Sequence, residues 1–182
     1  SSSSNRECVF FCPSGSYKSS SVDDPSLYVC KRCPEGKHQG QPAQDKCENC
    51  ARGSYQNYGG SLYCFTCPAG KYQPFPGRTS CDTCPQGQFG QWAGEPACST
   101  CHSGQFQPLA GQPSCHLCPT GYVVPPRSGS GGPKGGGSGA TSCAACPKGK
   151  HSYADGTECL GRFELIQRQA TDGVSSTLAR VS

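Results

Sequence analysis

The residues in this chain that could do chemistry are its cysteines, which recur as pairs separated by two residues. Such Cys-x-x-Cys pairs can bind zinc through thiolates, act as redox-active dithiols or form structural disulfides. The pairs lie at positions 30/33, 47/50, 64/67, 81/84, 98/101, 115/118 and 143/146. The spacing between pairs, and the residues around them, decide which of these chemistries applies.

Zinc binding by these pairs is disfavoured by their spacing. Zinc sites of this kind separate two pairs by about 15–20 residues, whereas 13 residues intervene in the regular part of this array. The pairs also follow one another without dividing into groups of four. The four histidines share no ligand spacing; they are His38, His102, His116 and His151. We therefore expect no metal site and no cofactor.

Enzymatic chemistry is disfavoured as well. A catalytic Cys-x-x-Cys needs a low-pKa thiol in a βαβ setting, and seven copies in a turn-rich sequence offer no such setting. The sequence contains no Gly-x-Ser-x-Gly nucleophile motif. In the Gly-rich stretch 131–137, Lys134 is followed by Gly135, where a phosphate-binding loop has Ser or Thr. We expect no catalytic residues and no enzyme.

The composition indicates that disulfides replace a hydrophobic core. Hydrophobic residues make up 33% of the 182 residues, and 17 of them are cysteines, alongside 25 glycines and 16 prolines. Disulfide scaffolds of this density persist in oxidising surroundings, which predicts an extracellular or cell-surface protein.

No run of residues is long and apolar enough for a membrane span. The net charge of +4 is scattered, with no Lys or Arg between Arg78 and Arg127, so we expect no nucleic-acid partner.

The elements that position the cysteines form a tandem repeat. The first six pairs are each displaced by 17 residues, and the seventh arrives 28 residues later. Eight modules, numbered 1 to 8, begin at the second Cys of a pair: Cys12, Cys33, Cys50, Cys67, Cys84, Cys101, Cys118 and Cys146. Each module reads approximately Cys-Pro-x-Gly-x-aromatic, a turn followed by a short strand. A second Gly stands four residues before the closing Cys at Gly60, Gly77, Gly94, Gly111 and Gly139.

This repeat predicts a small, disulfide-rich fold of tandem β-hairpins and turns, an elongated rod without a large hydrophobic core. Residues 1–11 form a Ser-rich and apolar N-terminal lead, and residues 12–159 hold the eight modules. A Gly-rich insertion occupies 124–139. Residues 160–182 form a C-terminal tail richer in aliphatic residues.

Sequence alone leaves the disulfide pairing open. One scheme uses the repeat fully by joining the second Cys of each pair to the first Cys of the next. Its bridges are Cys12–Cys30, Cys33–Cys47, Cys50–Cys64, Cys67–Cys81, Cys84–Cys98, Cys101–Cys115, Cys118–Cys143 and Cys146–Cys159. The rival scheme interleaves neighbours, for example Cys30–Cys47 with Cys33–Cys50. The first scheme leaves Cys8 for an interchain bridge, or for a partner lost from a fragment.

The unit Cys-x-x-Cys-Pro-x-Gly-x-Tyr/Phe, closing at the next Cys, resembles the ephrin-receptor-like cysteine-rich repeat of extracellular proteins. A single unit, such as residues 84–98, is similar to the smallest one-disulfide module of tumour-necrosis-factor receptors. The resemblance covers residues 12–159 and implies the within-module pairing. True receptor arrays alternate this module with a larger two-disulfide one, and the uniform spacing here departs from that pattern.

A module of this size cannot bury an aromatic ring alone, so we expect the repeated rings to pack on the disulfide and proline of an adjoining turn. These rings are Tyr17, Tyr55, Tyr72, Phe89 and Phe106. The alternative is an exposed aromatic ladder that binds sugar or peptide.

In the tail, the triplet 163–165 is expected to start a strand, and Val174, Leu178 and Val181 have helical spacing.

The tail residues Phe163, Leu165 and Ile166 are candidates for docking on a neighbouring subunit. We therefore expect a structural protein, a repeat-built subunit of an extracellular filament, surface appendage or coat. Such a chain would self-associate into a homopolymer or attach to other extracellular proteins. The alternative is a receptor or adhesion ectodomain that binds a protein ligand.

Overall fold

The computed structural model describes residues 11–20, 28–125, 138–153, 156–168 and 170. In these residues sixteen short strands pair, in chain order, into eight two-stranded antiparallel hairpins. The strands are β1 (Ser16–Ser20), β2 (Tyr28–Arg32), β3 (Lys37–His38), β4 (Glu48–Asn49), β5 (Ser54–Tyr55), β6 (Phe65–Thr66), β7 (Lys71–Tyr72), β8 (Asp82–Thr83), β9 (Gln88–Phe89), β10 (Ser99–Thr100), β11 (Gln105–Phe106), β12 (His116–Leu117), β13 (Tyr122–Val123), β14 (Ala144–Ala145), β15 (Lys150–Ser152) and β16 (Cys159–Gly161). The predicted class, a small disulfide-rich hairpin repeat, is confirmed.

Module 3 shows how the sequence produces each hairpin. The Ser54 N–H donates to the carbonyl oxygen of Ala51 over 3.1 Å, which closes the turn. The chain then enters β5, which pairs with β6 so that Tyr55 lies opposite Phe65. The strand β6 consists of the two residues between the cysteines of the pair 64/67. The two-residue spacing of the Cys-x-x-Cys pair is therefore the length of the returning strand.

Disulfides close the hairpins and form the centre of the fold. The eight bridges join Cys12–Cys30, Cys33–Cys47, Cys50–Cys64, Cys67–Cys81, Cys84–Cys98, Cys101–Cys115, Cys118–Cys143 and Cys146–Cys159. Their Cα atoms are 5.4–5.8 Å apart, ordinary for a disulfide. The interleaved scheme does not occur among them, and Cys8 lies outside the described residues. In the part of the chain that the structure describes, six of the eight buried apolar residues are cysteines; the others are Val123 and Val124.

The described residues belong to two compact units. The first lies within Ser1–Pro68, Tyr72–Asp82 and Ala93–Ala97, and the second within Ala69–Lys71, Thr83–Trp92 and Cys98–Ser182. In both units, neighbouring modules are joined by backbone hydrogen bonds. In the first unit the Gly60 N–H donates to the carbonyl oxygen of Cys33 over 2.7 Å. In the second unit the Gly111 N–H donates to the carbonyl oxygen of Cys84 over 2.8 Å.

Modules two apart in sequence also meet, through glycine backbone. In the first unit Gly53 has a φ of 76°, and a Cβ built there would overlap the carbonyl oxygen of Gly94 in module 5. In the second unit Gly70 has a φ of 81° and meets Gly111 in the same way. These glycines are required both for the left-handed turn conformation and for the close approach of two backbones.

The tail differs from its prediction. Residues 162–168 are helical, so the expected strand start at 163–165 is wrong. The carboxylate of Glu164 at the start of this helical turn accepts the Gly161 N–H at 2.9 Å, a local cap that competes with an extended conformation. Val174, Leu178 and Val181 lie outside the described residues. Within the part of the chain that the structure describes, no helix has the length and apolar character to cross a membrane.

Candidate binding surface

A buried glutamine holds the loop of module 3. Gln56 is 2% exposed, and its side-chain amide is engaged at both ends. Its Nε2 donates to the carbonyl oxygen of Tyr63 over 2.7 Å, and its Oε1 accepts the Tyr58 N–H at 3.1 Å. Buried polar groups that are satisfied in this way fix the backbone around them. The glutamine therefore ties the two sides of the hairpin loop together.

The same arrangement recurs in modules 2, 4 and 6. Gln39, Gln73 and Gln107 each donate to a carbonyl seven residues later and accept an N–H two residues later. This buried glutamine was not predicted from the sequence. Its signal is a Gln that immediately follows the ring position of four modules, visible in the sequence as a polar residue with the 17-residue period.

The main chain of Gln56 also joins neighbouring modules in the first unit. Its N–H donates to the carbonyl oxygen of Arg78 in module 4 over 3.0 Å. Its carbonyl oxygen accepts the Gly36 N–H of module 2 at 2.7 Å. One residue thus positions the module 3 loop against the modules on both sides of it in sequence.

This bonding leaves the residue two positions after the glutamine exposed. Tyr58 and Phe75 in the first unit are 65% and 57% exposed, and Leu109 in the second unit is 60% exposed. Each of the three has its N–H bonded to the glutamine Oε1, so its backbone is fixed while its side chain stays in solvent. We call this the loop-tip position of a module.

Module 3 adds further exposed apolar side chains to its loop tip. Leu62, Tyr63 and Phe65 are 48%, 62% and 38% exposed. The Tyr63 and Phe65 rings meet edge to face with centroids 5.6 Å apart, and the Tyr55 ring lies 5.8 Å from that of Phe65. The module 3 apolar cluster comprises Tyr55, Tyr58, Leu62, Tyr63 and Phe65. All except Tyr55 line a surface depression of about 290 Å³ whose wall also includes Gln56.

The segment of sequence that carries this cluster has a net positive charge. The stretch 49–81 contains no Asp or Glu, and its cations are Arg52, Lys71 and Arg78. The guanidinium of Arg78 lies 5.2 Å from the centre of the Phe75 ring. From module 1, the stem of Arg32 lies against Gly60, where a Cβ would come within 3.4 Å of Arg32 Cδ. Gly60 lines the depression, so the aliphatic part of the Arg32 side chain lies at its edge.

The repeated rings that were predicted to stack are half-buried: Tyr17, Tyr55, Tyr72, Phe89 and Phe106. Tyr55 contacts Phe65 across its own hairpin, and the Phe106 ring lies 6.0 Å from that of His116 in the same way. Packing of these rings on an adjoining disulfide and proline stays a prediction. The exposed apolar side chains stand at a different place in the module, the loop tip, which the sequence analysis did not single out.

One histidine lies beside a disulfide in the first unit. His38 Nδ1 is 3.3 Å from Cys64 Sγ, and the side chains of His38, Cys50 and Cys64 bring their nitrogen and sulfur atoms within 4.8 Å of one another. The two sulfurs are bonded to each other. Because neither sulfur is a thiolate while this bridge is intact, the three residues lack the ligand set of a metal site.

The tail residues that were candidates for assembly differ in exposure. Phe163 is 85% exposed, Ile166 is 56% exposed, and Leu165 is half-buried. The tail is fastened to module 8 by Arg168, whose guanidinium pairs with Glu158 at 3.1 Å and lies 5.5 Å from the Tyr153 ring centre. Two large apolar side chains thus stay in solvent on a segment that is held to its module.

Comparison with known proteins gives one family match. Residues 91–130 match the family described as tyrosine-protein kinase ephrin type A/B receptor-like. No curated protein matches the sequence. The match and the disulfide density place the protein outside the cell, as an extracellular or secreted chain. The matched segment lies within an array of eight consecutive disulfide-closed hairpins, and this arrangement fits a cysteine-rich repeat.

Proposed function

We propose that the chain is a non-enzymatic extracellular domain of the receptor or adhesion kind, which binds a protein through the module 3 apolar cluster. The observation that supports this proposal most is the exposure of that cluster. Tyr58, Leu62, Tyr63 and Phe65 are 38–65% exposed around a single depression. Grouped apolar side chains on a folded surface mark sites of interaction, and Tyr and Phe are enriched at the centres of protein interfaces.

The rigidity of the surface also supports the proposal. The cluster stands on a hairpin closed by the Cys50–Cys64 bridge, and its loop is held by the amide of Gln56. A surface that is already ordered loses less conformational entropy on binding than a mobile loop does. In this proposal the repeats are the scaffold, and the loop tips carry the recognition.

The test uses the oxidised chain carrying a fluorophore, added to intact cells and extracellular material from its source. Saturable binding that excess unlabelled chain displaces is expected. The double variant Tyr58→Ser/Tyr63→Ser should lose this binding. The matched control is Leu109→Ser, which changes the equally exposed loop tip of module 6. Binding that does not saturate, or that survives the double variant unchanged, would overturn the proposal.

A second candidate is a structural subunit of a filament, appendage or coat, which self-associates through the tail. The exposed side chains of Phe163 and Ile166 favour it. Light scattering over a range of protein concentrations tests this candidate. Growth in mass with concentration that Phe163→Ser/Ile166→Ser abolishes would support it. A constant monomer mass in both proteins would contradict it.

A further inference from the structure

We propose that the partner segment bound by the module 3 apolar cluster is an acidic polypeptide that carries a large apolar anchor residue. This inference rests on the proposed function, since it names the chemistry of the partner for the same surface. Three features of the described residues support it: the shape and lining of the depression, the charges around it, and the contrast with the loop tip of module 6.

The lining of the depression selects an apolar anchor. Four of its seven lining residues are Tyr58, Leu62, Tyr63 and Phe65; the others are Gln56, Gly60 and Ser61. Gln56 is the one amide side chain in the lining, and both ends of that amide are already bonded to the loop backbone. A volume of about 290 Å³ is at the lower limit for small-ligand pockets and holds one large side chain. Aromatic and aliphatic anchors of this kind dominate the affinity of protein interfaces.

The charges around the depression select an acidic partner. Arg52 of module 3 and Arg78 of module 4 belong to the same unit as the depression, and the sequence between them contains no acid. The side chain of Arg32 lies against Gly60 at the edge of the depression, and the guanidinium of Arg78 lies 5.2 Å from the centre of the Phe75 ring in the next module. Positive charge around an apolar centre attracts negatively charged partners and repels basic ones, and so sets specificity and association rate.

The balance of apolar and cationic side chains favours a polypeptide over a polyanion such as a sulfated glycan. Polyanions are bound by dense basic patches, and three cations spread over 33 residues are sparse by that standard. Six aromatic residues lie in the same stretch: Tyr55, Tyr58, Tyr63, Phe65, Tyr72 and Phe75. An apolar centre with a polar rim is the usual composition of a protein-binding surface, and here Arg32 lies at the edge of the apolar cluster.

Module 6 supplies a matched control for this inference. Leu109 occupies its loop tip, is 60% exposed and has its N–H held by Gln107 at 3.1 Å, as Tyr58 is held by Gln56. Its sequence surroundings differ, because no Lys or Arg occurs between Arg78 and Arg127. Module 6 itself contains no Lys or Arg, whereas module 3 contains Arg52 and has Arg32 against its Gly60. The two loop tips therefore separate a requirement for these arginines from the mere presence of an exposed apolar side chain.

The experiment measures fluorescence anisotropy of three labelled probes against the oxidised full chain. The first is a short peptide in which Glu and Asp surround a Leu-Phe pair, the second replaces each acid by Lys, and the third is a heparin oligosaccharide. We expect saturable binding of the acidic peptide alone. Tyr58→Ser/Tyr63→Ser should weaken it by about tenfold or more, as loss of interface anchors does. Arg32→Gln/Arg78→Gln should weaken it severalfold and reduce its dependence on salt.

Leu109→Ser should leave the affinity for the acidic peptide unchanged, and an intact-mass count of disulfides shows that each variant is correctly oxidised. The inference would be overturned if the lysine peptide bound as tightly as the acidic peptide. It would also be overturned if heparin bound and Tyr58→Ser/Tyr63→Ser did not weaken that binding, or if Leu109→Ser weakened binding of the acidic peptide as much as the tyrosine variant does. If no peptide binds while saturable, Tyr58-dependent binding to cells persists, the acidic chemistry is wrong and the proposed function stands. If both kinds of binding are absent, both proposals fall.

Discussion

Ala43 donates its backbone N–H to the carbonyl oxygen of Cys12 over 2.8 Å, with a φ of 63°. In the next module the equivalent bond runs from Gly60 to Cys33 over 2.7 Å, with a φ of 78°. Ala43 stands at the position of the second glycine of the repeat and is the one residue other than glycine with positive φ in the described part of the chain. The backbone bond between modules thus requires the left-handed conformation even where the sequence supplies a Cβ.

Replacing Ala43 by Gly should stabilise the folded chain. A residue with a Cβ in the left-handed region reduces the stability of the fold by about 1–2 kcal/mol, which the glycine recovers. Glycine in turn reduces stability by about 0.4–1 kcal/mol, because it increases the conformational entropy of the unfolded chain. We expect a net gain of about 0.5–1 kcal/mol, measured from the urea midpoint with the disulfides intact. Ala51→Gly is the control, because Ala51 has no positive φ and should lose stability. Shifts of the same sign in both variants would refute this explanation.

Replacing Gly53 by Ala should be much more costly than replacing Gly121. Both glycines have positive φ, 76° and 86°. A Cβ at Gly53 would overlap the carbonyl oxygen of Gly94, whereas a Cβ at Gly121 would meet nothing within 4 Å. Gly121→Ala should cost about 1–2 kcal/mol from conformation alone. Gly53→Ala should cost at least about 2 kcal/mol more, since the clash forces two backbones apart. Equal urea midpoints for the two variants would show that modules 3 and 5 do not meet through these glycines.

Replacing Gln56 by Ala should loosen the module 3 loop. The variant leaves the Tyr63 carbonyl and the Tyr58 N–H without their amide partner, which we expect to cost about 1–3 kcal/mol. Amide hydrogen exchange at Tyr58 should accelerate, because this N–H has lost its acceptor. Gln91→Ala, at an exposed site, should leave this exchange rate unchanged. Slow exchange at Tyr58 in the Gln56 variant would show that the glutamine does not hold the loop.

The features of the fold that could be predicted from the sequence are those that depend on local spacing. The turn glycine three residues after each module cysteine and the 17-residue period predicted the hairpins, because a turn and its two strands lie within one module. The same spacing favoured the within-module bridges that the structure contains. The cysteine pairs were interpreted as structural disulfides, and in modules 2 to 7 their two inner residues are also the returning strand of the hairpin.

The features that were missed depend on contacts between modules and on side-chain burial. The meeting of Gly53 with Gly94 joins residues 41 positions apart, and no local pattern reports it. The burial of Gln56 was not predicted because glutamine is usually an exposed residue. In the structure the Tyr63 carbonyl and the Tyr58 N–H both bond its side-chain amide, which allows it to be buried. The loop-tip residue is exposed because of its bond to that glutamine. Since the burial of the glutamine was not predicted, the candidate binding surface was not predicted either.

Removing the bridge of module 3 should abolish binding without unfolding the rest of the chain. In repeat proteins each unit depends chiefly on its neighbours, and local opening is the expected response to local damage. The Cys50–Cys64 bridge closes a loop with a sequence separation of 14, and in the chain-entropy model such a loop contributes about 3 kcal/mol. The variant Cys50→Ser/Cys64→Ser should lose the saturable, Tyr58-dependent binding, and hydrogen exchange should accelerate in β5 and β6. The β13–β14 hairpin, closed by Cys118–Cys143, should keep its protection.

The matched control is Cys146→Ser/Cys159→Ser, which removes a bridge of similar sequence separation, 13, from module 8. It should leave binding intact while exchange accelerates in β15 and β16. Loss of protection throughout the described hairpins in either variant would mean that the array unfolds as a single cooperative unit. Binding that survived removal of Cys50–Cys64 would place the interaction outside module 3, because the depression lined by Tyr58 and Phe65 depends on the hairpin that this bridge closes.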